Sequence, residues 1–138
     1  MKKFEAQVSL MTGKSAEAIW GIWTDVPNWP KWDDSQKVEI SGDFEVGAVI
    51  SCFSEEDPEP RSMTISKVVK NEEFVDTTTL PFGIIKTYHT LKTMDGNIQV
   101  THRMVAEMND DMADMFGNEI WPNIQMGIFG ALNNLINL

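Results

Sequence analysis

The clearest alternation of apolar and polar positions runs from Ile84 to Met108. Two β-rich runs, GIIKTYHTLKTM and NIQVTHRMVAEM, flank Asp95-Gly96. Asp-Gly between such runs predicts a hairpin, because a type I′ turn needs positive φ at both central residues. Counting outward from that turn pairs Thr93 with Ile98, Leu91 with Val100, His89 with His102 and Thr87 with Met104. In the second strand Ile98, Val100, His102, Met104, Ala106 and Met108 share one face. Gln99, Thr101, Arg103 and Glu107 take the other, with Val105 the exception. Side chains alternate with a period of two, so the first set is expected to be buried. Both histidines of the chain then lie on the buried face, opposite each other.

The remaining pattern supplies the other elements. Phe4, Ala6, Val8 and Leu10 alternate with Glu5, Gln7 and Ser9, which predicts a half-buried strand over 3–12. Ser15 is placed as an N-cap with Glu17 in the first turn, and Ala16, Ile19, Trp20 and Trp23 recur at helical spacing. Pro27 ends that helix. The segment from Asp25 to Asp33 holds two prolines and two tryptophans and predicts a short second helix or turn, with Trp29 and Trp32 packed down. Strands follow at Val38–Ile40, Val46–Ser54, Met63–Val69 and Phe74–Leu80, with Gly42, Phe44 and Gly47 marking a tight connection. The acidic, proline-bearing stretch 54–60 reads as a solvated hairpin tip. With Pro81 and Phe82 central in the next turn, Phe74 pairs with His89, Asp76 with Thr87 and Thr78 with Ile85. Asp76 then shares the buried face and lies diagonal to His89, roughly 7–8 Å away between α-carbons.

Beyond Met108 the period becomes helical. Ala113, Phe116, Ile120, Ile124, Ile128, Leu132, Leu135 and Ile136 recur every three or four residues. Asn109, Asp110 and Asp111 offer a cap and first-turn acids. Gly117 and Pro122 predict a break or kink, so the helix is one long piece or two. Gly127 and Gly130 would let it lie close to a strand or a ligand.

Length and charge narrow the function. A chain of 138 residues is read as a single domain, 1–138, with enough apolar content for a sizeable core. A net charge of −10 argues against nucleic acid and anionic membrane surfaces as partners. No apolar run approaches the roughly 20 residues of a spanning helix. The start MKKFEAQVSLMTG lacks the apolar stretch of a leader peptide. The lone Cys52 excludes an internal disulfide and is read as a core thiol. A cytoplasmic protein is expected. Nine methionines and five tryptophans are many for this length and are assigned mostly to packing.

The predicted order is a strand, two short helices, six strands joined mostly as hairpins, and a long helix. Such a meander needs one covered face, and only the terminal helix is large enough to cover it. The expected fold is therefore α+β: a curved antiparallel sheet of about seven strands around a long C-terminal helix. Several short motifs agree with it. Ala18-Ile19-Trp20, Asp25, Trp29 and Trp32 resemble the "vW…D…W..W" opening of the polyketide cyclase/dehydrase-like group, within the START-like, helix-grip (SRPBCC) superfamily. The segment Gly42 to Gly47 resembles its "G.F..G" element. Tyr88-His89-Thr90-Leu91 and Val100-Thr101-His102-Arg103 resemble its "H.l" and "vtH" strands. The resemblance spans almost the whole chain. It implies a deep cavity between sheet and helix for apolar or amphipathic small molecules. Its members include cyclases, dehydratases, lipid carriers, hormone receptors and co-chaperone-like proteins, with no shared catalytic set to carry over.

The candidate site is the pair His89 and His102 on the cavity wall, with Asp76 nearby. Imidazoles titrating near neutrality could exchange protons during aldol cyclisation or dehydration; burial and the adjacent ring disfavour their charged forms, while a nearby Asp76 would orient one ring and favour its protonation. Alternatively they contact a ligand without chemistry, or serve the core. A divalent ion held by two His and one Asp lacks the acid placement usual for a facial triad, so no metal or cofactor is expected. Phe74, Thr78, Thr87, Leu91, Val100, Met104 and Trp121 are expected to contact the ligand, and Tyr88 is excluded by parity. The partner is then a small apolar, aromatic or lipid-like ligand. The alternatives are a cyclase or dehydratase, and an interaction module or half of a homodimer with a filled cavity and an apolar patch at Pro81 and Phe82.

Overall fold

A computed structural model describes residues 1–138. Seven strands form one antiparallel sheet: β1 Lys2–Thr12, β2 Lys37–Ile40, β3 Val49–Phe53, β4 Arg61–Val69, β5 Glu73–Leu80, β6 Gly83–Met94 and β7 Asn97–Met108. Their order across the sheet is β1-β7-β6-β5-β4-β3-β2. Strands β2 to β7 are thus a continuous meander, and β1 closes it by pairing with β7 from Lys2↔Met108 to Thr12↔Ile98. Helix α1, Ala16–Thr24, and a 3-10 turn, Val26–Lys31, lie between β1 and β2. The C-terminal helix follows β7 as α2 Asp110–Met115, a π turn Phe116–Ile120, and α3 Trp121–Ile136. The architecture is the helix-grip α+β fold, a curved sheet around one long helix.

Local chemistry accounts for the joints. The Ser15 hydroxyl accepts from the Ala18 amide at 3.1 Å and caps α1. Asp95 and Gly96 have φ of 52° and 81°, as a type I′ turn demands. The β6–β7 register follows from it, with His89 opposite His102 and Thr87 opposite Met104. Pro81 and Phe82 form a two-residue turn, so Phe74 meets His89 and Asp76 meets Thr87. A bulge between Ile65 and Lys67 breaks the β4–β5 ladder. Bulges raise local twist and bend the strand, which helps this sheet curl over the helix.

The expected strand over 46–54 begins later, at Val49. Gly47 has φ of +95°, so residues 46–48 turn instead of extending. The close approach of helix and sheet also falls elsewhere than expected. A β-carbon on Gly127 or Gly130 would meet nothing within 4 Å, whereas one on Gly117 would lie 2.8 Å from the Phe4 ring. Gly117, inside the π turn, is the glycine that lets the helix sit on β1.

Two apolar clusters divide the interior. The larger packs Ile19, Trp20 and Trp23 of α1 and Trp29 and Trp32 of the 3-10 region against Ile65, Phe74, Val100, Leu132 and Leu135. The smaller joins Ala106 and Met108 to Phe116 and Trp121, with Phe4, Phe82 and Ile85 against it. No helix is long and apolar enough to cross a membrane.

Gly83 is buried where the Pro81-Phe82 turn meets β7. A β-carbon there would collide with the Glu107 carbonyl and the Met108 sulfur. Gly83→Ala is expected to cost about 1–3 kcal/mol, because backbone cannot move aside cheaply. Gly13→Ala, where a β-carbon meets nothing within 4 Å, should be near neutral. Urea midpoints at unchanged slope measure both.

Candidate functional site

A cavity of about 420 Å³ lies between the concave sheet face, the 3-10 region and α3. Its floor comes from three adjacent strands: Asp76 on β5, Thr87 and His89 on β6, and His102 and Met104 on β7. Trp29 and Trp32 form one wall, and Ile124, Ile128 and Ala131 of α3 form another. The exposed residues Asp34, Arg61, Glu119 and Asn123 stand at its rim.

Alternation puts the floor residues together. Asp76, His89 and His102 are only 4%, 5% and 4% exposed, the most deeply placed polar groups of the sheet. The two imidazoles meet edge to face with centroids 4.9 Å apart. Phe74, the cross-strand partner of His89, stacks flat on it at 3.8 Å. Trp23 contacts both histidine rings, at 5.7 and 5.9 Å. His89 Nδ1 lies 3.2 Å from the Phe74 carbonyl. A carbonyl only accepts, so Nδ1 carries the proton and donates, leaving a lone pair on Nε2. That Nε2 faces Asp76 Oδ2 at 3.9 Å, beyond hydrogen-bond reach. His102 Nε2 is buried with no partner in the protein, as are the indole nitrogens of Trp23 and Trp32.

Burial disfavours charge on both rings, as their place on the buried face implies, and moves the titrating role to the carboxyl. Burial, and then the neighbouring His102, drives His89 well below its ordinary range, more than the Phe74 carbonyl restores. Burial lowers His102 to about 4. Burial raises Asp76 to about 7, while the Thr87 hydroxyl beside it pulls the other way. Asp76 therefore does not favour a charged ring. Both imidazoles are neutral near pH 7, and the carboxyl is the group that titrates there. No cation on the protein offsets its burial.

Of the residues expected to contact a ligand, Thr87 and Met104 line the cavity with Asp76, His89 and His102. Phe74, Leu91 and Val100 lie in the larger core cluster, because the tryptophans of α1 and the 3-10 turn fill the space over them. Thr78 is half-buried and lies off the cavity wall. Trp121 packs on Phe4 and Phe116 at 5.8 and 5.9 Å, in the smaller cluster. The π turn inserts an extra residue per hydrogen-bonded ring, so a 3.6-residue count through the kink misplaces it. Ile120 and Glu119 face the cavity in its place. Tyr88 lies on the opposite sheet face, against Arg103 at 5.1 Å. Phe82 packs into the smaller cluster rather than forming an apolar tip.

The walls were not visible as lining in the pattern of the sequence. Trp29 and Trp32 read as packing, and they do pack, but each also presents surface to the cavity. Cys52 and Met63, from β3 and β4, join the lining too. Burial pushes the Cys52 thiol up to about 11, so it is un-ionised at neutral pH and a poor nucleophile. No group of three or more His, Cys, Asp or Glu is disposed to hold a metal ion.

No family model and no curated protein matches the chain in sequence. In structure it is similar to norcoclaurine synthase from Thalictrum flavum, seen in complex with dopamine and hydroxybenzaldehyde. That similarity has a TM-score of 0.74 at 14% identity and covers 98% of this chain and 84% of the synthase. The protein Ara h 8.0201 gives a TM-score of 0.74 at 11% identity, covering 99% of this chain and 97% of its own. The di-domain ARO/CYC StfQ of the steffimycin biosynthetic pathway gives 0.76 at 7% identity, over 98% of this chain and 50% of StfQ. At these identities the likeness establishes a shared fold and nothing finer: the chain has the helix-grip α+β fold of these proteins.

The raised Asp76 and lowered histidines make stability depend on pH from both sides. The unfolded carboxyl ionises near its ordinary value of 3.8, the folded one near 7. Folding stability attributable to Asp76 is whole below pH 3.8 and falls as pH rises to 7. The histidines act oppositely: the unfolded rings charge below 6.5 and the folded ones resist, so stability falls as pH drops toward 4. Asp76→Asn removes only the first effect. The variant is expected to match the parent near pH 4 and exceed it at pH 8 by up to about 4 kcal/mol, at about 1.4 kcal/mol per pH unit. Urea denaturation at pH 4, 6 and 8 reads the divergence.

Proposed function

We propose that the protein binds a small hydrophobic or aromatic molecule in the cavity between its sheet and C-terminal helix. The observation that carries this reading is a cavity of about 420 Å³ whose walls are apolar and aromatic and whose floor holds a few convergent polar groups. That combination is the usual make-up of a small-molecule site. The small aromatic molecules bound by norcoclaurine synthase, which shares the fold, support the same reading.

The experiment is native mass spectrometry of the purified protein, followed by extraction of whatever it retains. Gly127 lines the cavity and a β-carbon there meets nothing within 4 Å. Gly127→Phe should therefore fold, since leaving glycine in a helix gains up to about 1 kcal/mol, while its ring fills part of the space. The expected result is a retained molecule in the parent and none in the variant. Equal retention by both would place the ligand outside the cavity and overturn the reading.

A second reading is that the bound molecule is converted by acid–base chemistry. It draws on one feature: a carboxyl titrating near pH 7 within 3.9 Å of a bare imidazole nitrogen. Beside that nitrogen, the carboxyl can give its proton to a carbonyl oxygen and, as carboxylate, take one from an adjacent carbon, the exchanges that aldol cyclisation or dehydration requires. Here Asp76 is the group that changes charge, with His89 and His102 as neutral hydrogen-bonding partners. Asp76→Asn should then retain the ligand and lose turnover by about 100-fold or more. Unchanged turnover of the retained ligand in that variant would eliminate this second reading.

A further inference from the structure

We infer that the cavity is built for a ligand carrying a basic nitrogen, an arylalkyl or alkyl amine in its ammonium form, seated between Asp76 and His89. The inference rests on the proposed binding function and narrows it to a chemical class.

The geometry on the floor is the first reason. His89 spends its one N–H on the Phe74 carbonyl, so Nε2 presents a lone pair. That lone pair faces a carboxyl oxygen of Asp76 3.9 Å away. When Asp76 is ionised, the carboxylate and the bare Nε2 are two acceptors directed at one space, and they repel unless hydrogen lies between them. A protonated amine brings two or three N–H donors on one atom, so it can donate to both at once. A hydroxyl has a single hydrogen and satisfies one of the two. Gaining the counter-charge also relieves the burial of Asp76, for which the protein supplies no cation of its own.

The surroundings agree. Four carboxyls line the cavity, Asp33, Asp34, Asp76 and Glu119, against the single guanidinium of Arg61. The chain carries a net charge of −10, so the field at the mouth attracts cations. Trp29 and Trp32 stand in the wall with ring centroids 5.2 Å apart and offer aromatic surface on which a cation or an aryl group can rest. An anionic or fatty-acid-like ligand would bring its charge past Asp34 and Glu119 at the rim toward Asp76 on the floor.

The test compares 1-naphthylmethylamine with 1-naphthylmethanol, which share shape and differ in charge and donor number. Binding of each to the parent and to Asp76→Asn is measured by calorimetry at pH 7 and by quenching of tryptophan fluorescence. Asp76→Asn is expected to fold, being the more stable chain at that pH. The amine should bind the parent at least about tenfold more tightly than the alcohol, the worth of one charge-assisted hydrogen bond. In Asp76→Asn the amine should fall to the level of the alcohol, whose own affinity stays put. Equal affinity of the two probes for the parent, or an amine preference that survives in Asp76→Asn, overturns the inference while the cavity reading stands. Failure of both probes, together with nothing retained in native mass spectrometry, overturns the cavity reading and this inference with it.

Discussion

The pairing register of β5, β6 and β7 is the constraint on which the rest of the molecule depends. Two tight turns hold it, Pro81-Phe82 on one side and Asp95-Gly96 on the other. A slip of one residue at either turn would send a floor residue to the opposite sheet face, since strand side chains alternate. Asp76, His89 and His102 would then no longer converge. The Phe74 ring would also leave the flat contact that, with the Phe74 carbonyl, holds the His89 imidazole in one orientation. Sheet register, core packing and site chemistry are thus one feature at three scales.

Within that frame the interior is divided unequally. The α1 and 3-10 tryptophans fill the space over Phe74, Leu91 and Val100, where aromatic rings meet at 5 to 6 Å. At the opposite end Phe4, Phe116 and Trp121 form a second aromatic knot around the π turn. The cavity is what these two clusters leave open. Its floor is enclosed by aromatic and aliphatic groups, so desolvation governs its titration. Burial disfavours charge on acid and base alike, raising the carboxyl and lowering both imidazoles until all three tend toward neutrality. Fixed charge is confined to the rim, where water and counter-ions screen it. A ligand that enters exchanges a screened surface for a floor where a single hydrogen bond or ion pair counts heavily.

Much of this was legible from residues alone. The Asp-Gly turn and the period-two pattern after it predicted the His89–His102 pairing, and the Pro81-Phe82 turn predicted Asp76 opposite Thr87. Both rest on local rules, turn stereochemistry and alternation, which act over a few residues. The lining residues fared differently. Thr87 and Met104 are on the wall, but Phe74, Leu91, Val100 and Trp121 belong to packed clusters, and Trp29, Trp32, Cys52 and Met63 reach the cavity from outside the hairpin. Parity tells which face a strand residue takes and says nothing of what covers it there.

The sequence by itself therefore determined the β5–β6–β7 hairpins, their turns, the face of each side chain in them and the juxtaposition of both histidines with Asp76. Each of these follows from short-range geometry that the chain carries in its own order. Tertiary structure alone decided where the space over that face is filled and where it is empty. It also decided the ionisation of the three floor groups. Filling depends on how far α1 and the kinked C-terminal helix travel over the sheet, and the π turn at 116–120 shifts that helix by an amount no periodic count contains. Ionisation depends on exclusion of water by residues distant in sequence, Trp23 and Trp32 among them, which meet the floor only once α1 and the 3-10 turn pack onto the sheet.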